Sequence, residues 1–167
     1  NYTHQTKYQL PIPPSPNLPN MKSIYLYPST CFFEATPVSL GRGTSLPFQV
    51  YGHPNMTGYN YSFTPRSIPG AKNPPQLNKL CHGVDLSNMS DEEIWKRGVD
   101  LTYVIDAYRN LNLDDHFFRP FFELLVGRDY VRKMIKEGKS ADDIKAMWKG
   151  DVEKFKAQRK PYLLYEE

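Results

Sequence analysis

A chain of 167 residues, 40% apolar and 23% charged, is long enough to bury one core and needs no disulfide or metal staples to fold. A net charge of +3 and a pI near 8.8, with basic and acidic residues alternating through the C-terminal half, argue against nucleic acid as the main partner. Cys31 and Cys81 form no short-spaced pair, so no zinc site or disulfide framework is indicated, and no run reaches the roughly 20 apolar residues of a membrane span.

Thirteen of the fifteen prolines fall before residue 76, which divides the chain into an extended, turn-rich front and a helical back. Residues 1–20 are too proline-rich for helix and are read as a junction. Tyr2, Tyr8, Leu10, Ile12 and Leu18 are more apolar anchors than a solvated tether needs. Ser23–Tyr27 is predicted as a short strand closed by Pro28, Thr30–Phe33 as a second and Phe48–Tyr51 as a third. An edge strand around Tyr59–Pro65 and another at Leu80–Leu86 complete the front.

Ser90 with Glu93 three residues on is a helix-capping pattern, and Ile94, Leu101, Ile105 and Tyr108 continue it on one helical face. The pattern breaks at Asp114–Pro120, beside the dense apolar patch Phe117, Phe118, Phe121, Phe122, Leu124 and Leu125. A helix over about 129–137 should end at Gly138, and Ser140 should cap a last helix that turns Ile144, Met147, Trp148 and Phe155 inward. Pro161 stops it, and Tyr162–Tyr165 is read as a final strand. The fold class is therefore α+β, a Pro-rich front with a small mostly antiparallel sheet packed on three to four helices over 21–167.

The stretch Ser29-Thr-Cys-Phe-Phe-Glu-Ala-Thr-Pro-Val-Ser-Leu-Gly-Arg-Gly-Thr44 combines a carboxylate, a guanidinium, hydroxyls and glycines, a mixture of little use to a core. Glu34 follows two phenylalanines and must be paired or reach an edge. In an apolar niche it suits proton transfer, and with Arg42 beside it the ionised form is favoured, as for a base, nucleophile or electrostatic stabiliser. Arg42 between Gly41 and Gly43 suits bidentate binding of a carboxylate or phosphate. A structural ion pair that pins a turn remains the competing reading. His53, between Gly52 and Pro54, stands at a strand end, where it is either a cleft residue or a turn residue. His4, His82 and His116 are scattered, no metal motif, P-loop or dinucleotide fingerprint occurs, and neither metal nor cofactor is expected. Asp114 and Asp115 are read as caps.

Pro14-Ser-Pro-Asn-Leu-Pro19, Tyr27-Pro-Ser-Thr-Cys-Phe-Phe-Glu34 and Gly41-Arg-Gly-Thr44 with Pro47-Phe48 resemble, in that order, the C-terminal domain of the NamZ-type exo-β-N-acetylmuramidases. Cys81-His-Gly-Val84, Phe121–Gly127 and Arg159–Tyr165 extend the resemblance. Ala35 departs from the family's glycine and Pro37 from its asparagine.

The resemblance implies a glycoside hydrolase releasing N-acetylmuramic acid from non-reducing ends of peptidoglycan fragments, as in muropeptide recycling. It implies a Rossmann-like N-terminal domain as the other wall of a cleft, muramyl sugars as ligands, and an extracytoplasmic setting in bacteria. The chain begins at Asn1 rather than methionine, which predicts a fragment or processed product; as one wall of such a cleft, the resemblance implies, it is inactive alone. Carried over by position, Glu34 is the candidate catalytic residue, and Ser15, Asn17, Arg42, Thr44 and His53 are candidate substrate contacts. A non-catalytic cell-wall sugar-binding module and a structural interaction domain are the rival classes.

Overall fold

The computed structural model describes Thr3 and residues 6–165, so Tyr2 and His4 lie outside the described residues. In chain order the elements are α1 (Met21–Thr30), a 3-10 turn (Cys31–Ala35), β1 (Val50–His53), β2 (Tyr61–Phe63), β3 (Cys81–Asp85), α2 (Asp91–Arg97) and α3 (Thr102–Leu111). A short 3-10 turn at Asp114–His116, α4 (Phe122–Val126), α5 (Tyr130–Lys136), α6 (Ala141–Arg159) and a last 3-10 turn (Lys160–Tyr162) follow. The fold is α+β with a small antiparallel sheet of order β1-β3-β2, in which β3 pairs His82 with His53 on one side and with Ser62 on the other.

The core lies between this sheet and the helices. Phe33, Phe48, Phe117 and Phe122 are almost wholly buried, and each such side chain contributes about 1.5–3 kcal/mol by leaving water. Phe118 meets Phe117 edge-on and Phe122 at a tilt, and Phe32 reaches Phe122 across the contact between the first 3-10 turn and α4. On the sheet side Phe33 stacks on Tyr51, whose hydroxyl donates to Asp106 of α3 at 2.7 Å. Tyr59 donates to the same carboxylate oxygen, fastening the loop after β1 to α3.

Several expectations are corrected. Ser23–Tyr27 is helical, not a strand: the Asn20 side chain accepts from Ser23 N and the Ser23 hydroxyl from Asn20 N, a reciprocal cap that starts α1. Ser23, Leu26 and Thr30 then bury at helical spacing, and α1 accommodates Pro28 near its end. Thr30–Phe33 is not a strand either, because α1 runs directly into the 3-10 turn, which buries Phe32 and Phe33. The third strand begins two residues later than expected, since Phe48 takes a left-handed φ of 59° and donates its N–H to Leu40 O instead of joining the sheet.

The helix expected across 90–108 is two helices. Gly98, with φ 58°, ends α2, and Asp100 reopens the chain by accepting from Thr102 N at 2.8 Å. Ser29 of α1 locks the break, accepting from Asp100 N and donating to Gly98 O. The helix before Gly138 ends where expected, with Gly138 at φ 79°. Ser140 caps α6 through a capping box with Asp143. Ile144 is buried, but Met147 and Phe155 are exposed, because α6 outruns the body: from Lys149 to Tyr165 every residue except Arg159 is exposed. The expected strand at Tyr162–Tyr165 begins as a 3-10 turn around Pro161 instead. Phe121 and Leu124 of the aromatic patch also face water. Both thiols are free.

Candidate functional site

The 3-10 turn places Glu34 at the surface by burying its neighbours: Phe32, Phe33 and Ala35 point inward. Ala35 stands in for the family's glycine without strain, for it needs no left-handed angle, and its carbonyl accepts from Arg119 N at 2.9 Å. Pro37 occupies the asparagine position and offers its carbonyl to Gln76 Nε2 at 2.8 Å.

Gly41 and Gly43 shape the opposing turn. Both hold left-handed φ values, 74° and 81°, and both are pressed against the protein. A Cβ on Gly41 would meet Leu46 O at 2.6 Å, and one on Gly43 would meet Arg66 O at 2.2 Å. The glycines are therefore required by close packing of the chain on itself, with Arg66 N donating to Gly43 O. Thr44 closes the turn: its hydroxyl donates to Gly41 O at 2.6 Å and accepts from Leu46 N at 3.0 Å.

This turn brings Arg42 to Glu34, where Arg42 Nη2 donates to Glu34 Oε1. The side chains remain 22% exposed at Glu34 and 33% at Arg42, so the pair is neither sealed in nor split between opposite sides. The guanidinium lies over the Phe48 ring, 5.1 Å from its centroid, and the Tyr27 ring is tilted against Phe48 with centroids 5.2 Å apart. Arg42 Nε is buried without a hydrogen-bond partner. Burial pushes the Cys31 thiol up to about 11, aided by the Glu34 charge, and the same two causes raise the Tyr27 hydroxyl. Tyr27, half-exposed beside the pair, and Phe48, strained beneath it, are site neighbours that the sequence reading missed. The signal was the Asn20–Ser23 cap, which makes Tyr27 and Cys31 neighbours one helical turn apart.

The hydrogen bonds of Ser15, Asn17 and His53 run to other parts of the chain than Glu34 and Arg42. Ser15 Oγ accepts from Asn17 N, Leu18 N donates to Ser15 O, and Asn17 Nδ2 donates to Gly70 O at 2.9 Å, so both belong to a turn laid on the Ile68–Ala71 bridge. His53, at the end of β1, accepts from Asn55 N through Nδ1 at 3.1 Å, and burial, aided by the Lys79 charge, pushes its pKa down. Among the described residues, no three His, Cys, Asp or Glu side chains are grouped to hold a metal, and no helix is long and apolar enough to cross a membrane. A hollow of about 380 Å³, lined by Phe32, Leu101, Leu125, Val131 and Trp148, is largely apolar and offers a sugar few polar partners.

Residues 25–165 match the family described as Exo-beta-N-acetylmuramidase NamZ, C-terminal. The chain belongs to this family. Glu34, Arg42, Thr44 and His53 fall within the matched residues, and Ser15 and Asn17 precede them. The chain is 33% identical, over 91% of its length, to the Peptidoglycan beta-N-acetylmuramidase NamZ of Bacillus subtilis (strain 168), of which it spans 40%. A crystal structure of a DUF1343 family protein from Bacteroides fragilis NCTC 9343 is similar over the whole chain, with a TM-score of 0.98 and 83% identity, and the chain covers 47% of it. A second DUF1343 family protein from the same strain shares the fold, with a TM-score of 0.64 and 21% identity over 93% of the chain and 45% of its own. The chain thus spans less than half the length of each of these relatives.

Proposed function

We propose that the chain forms one wall of the cleft of a glycoside hydrolase that releases N-acetylmuramic acid from non-reducing ends of peptidoglycan fragments. Family membership and the name of the Bacillus relative support the reaction class. Within the chain, the observation that carries the reading is the part-exposed Glu34–Arg42 pair resting on Phe48 beside Tyr27. Muramic acid differs from glucosamine by a lactyl carboxylate, and Arg42 is the cation set to receive it. Tyr27 offers an aromatic edge to the sugar ring. In this reading Ser15, Asn17, Thr44 and His53 are further sugar contacts.

Glycoside cleavage ordinarily needs two carboxyl groups. Glu34, bonded to a guanidinium, serves as a carboxylate that accepts from sugar hydroxyls or from an attacking water, and the proton donor to the leaving oxygen comes from the facing wall. That wall is a Rossmann-like N-terminal domain of the same polypeptide, the setting is extracytoplasmic, and the present chain is inactive by itself. The test is the longer polypeptide assayed on a chromogenic N-acetylmuramic acid glycoside. Glu34→Gln is expected to lower kcat/KM by about 100-fold or more, near 2.7 kcal/mol, and unchanged kcat/KM contradicts the assignment.

A further inference from the structure

Tyr8, Leu10, Ile12 and Leu18 have the composition of anchors, and only Leu18 packs against this core. Tyr8 is 54% exposed, Leu10 36% and Ile12 77%. The segment that carries them nonetheless touches the body at both ends. Lys7 Nζ pairs with Glu92 at 2.6 Å and lies 5.8 Å from the Trp95 ring centroid, an exposed contact that lays the chain against α2. At the other end the Ser15–Leu18 turn is fastened to Gly70 through Asn17. A solvated tether has no use for two such attachments, and a self-contained domain has no use for three large apolar side chains left in water between them.

We infer that Tyr8, Leu10 and Ile12 form a docking strip for the N-terminal half of the same polypeptide, which seats on it directly beside Ser15 and Asn17. The inference rests on the two-domain reading proposed above. The occupant is chosen on two grounds: the chain matches the C-terminal part of its family, and it covers less than half of a relative 83% identical to it. The polypeptide ahead of Lys7 therefore arrives at this strip. Prolines 11 and 13 suit the role, since each fixes its own φ and removes a donor, so the strip is stiffened before its partner meets it.

The experiment places the photoreactive amino acid p-benzoylphenylalanine at position 12 of the longer polypeptide, irradiates it, and maps the crosslinked peptides by mass spectrometry. Crosslinks within one molecule, to peptides of the N-terminal half, are expected. Crosslinks to a second copy, crosslinks confined to residues 1–167 of this chain, or none at all would overturn the proposal. A second measurement compares Ile12→Asp in both lengths: melting of the longer polypeptide should fall, and that of the 167-residue chain should hold, because Ile12 is already exposed in it. Equal shifts in both contradict the strip. Neither readout depends on glycosidase activity, so a protein that cleaves muramoyl glycosides without the crosslink sinks only the docking strip, and one that crosslinks without cleaving sinks only the reaction.

Discussion

Glu34 and Arg42, eight positions apart, are bonded to each other at the surface, and each owes its place to buried neighbours rather than to the other. Glu34 is set by the inward turn of Phe32 and Phe33, and Arg42 by the packed glycines on either side. Being part-exposed, the pair itself contributes little to stability. A double-mutant cycle on Glu34→Ala and Arg42→Ala, read by urea unfolding, is expected to give a coupling of about 0.5–1 kcal/mol. A coupling several times larger would make it chiefly a structural clasp.

The glycines are the stiffer constraint. Gly43→Ala adds a Cβ against Arg66 O at a left-handed φ, where the contact is backbone and cannot swing away. A loss of roughly 2 kcal/mol or more in unfolding free energy is expected. Gly150→Ala, with open space around the glycine in α6, should be neutral or stabilising by up to about 1 kcal/mol.

Asp100 is a buried acid-sensitive group of the fold. Burial pushes its carboxyl up, but hydrogen bonds from Thr102 and Arg97 outweigh that and hold it below the usual range. A depressed native value means that the unfolded chain binds the proton more readily. Its contribution is fully present above about pH 3.9 and is lost as pH falls through the lower native value. Asp100→Ala should cost about 1–3 kcal/mol at neutral pH, and its deficit against the parent should shrink in acid. A deficit that is constant down to low pH would contradict this.

His53 acts in a higher window. Burial, then the Lys79 charge, lower its pKa, and its Nδ1 must stay unprotonated to accept from Asn55 N. The unfolded chain again binds the proton more readily, so stability is complete above about pH 6.5 and declines as pH falls through the lower native value. Melting curves of the parent and of His53→Asn between pH 5 and 7.5 should converge toward the acid end. Parallel curves would place the titration elsewhere.

The helical back was largely readable because its signals are local: the caps at Ser90 and Ser140 and the stop at Gly138 are each decided within four residues. β3 was readable from its bounding turns. α1 was not, since Ile24, Tyr25 and Tyr27 favour strand and Pro28 disfavours helix, and burial of Ser23, Leu26 and Thr30 overrides both preferences. The single long helix failed at Gly98, whose break is fixed by Ser29, 69 residues away, and no window of sequence contains that bond. At the site, the Phe-Phe-Glu and Gly-Arg-Gly tripeptides marked the two side chains that meet, whereas the part played by Phe48 depends on a left-handed backbone that its residue type gives no reason to expect.

The most direct measurement is kcat/KM of the longer polypeptide on paired chromogenic glycosides of N-acetylmuramic acid and N-acetylglucosamine, with and without Arg42→Ala. If Arg42 receives the lactyl carboxylate, the muramoyl substrate should lose about 30- to 1,000-fold, equivalent to 2–4 kcal/mol, and the glucosamine substrate should change little. An Arg42→Ala protein that cleaves the muramoyl substrate as fast as the parent, or loses both substrates equally, would contradict that role.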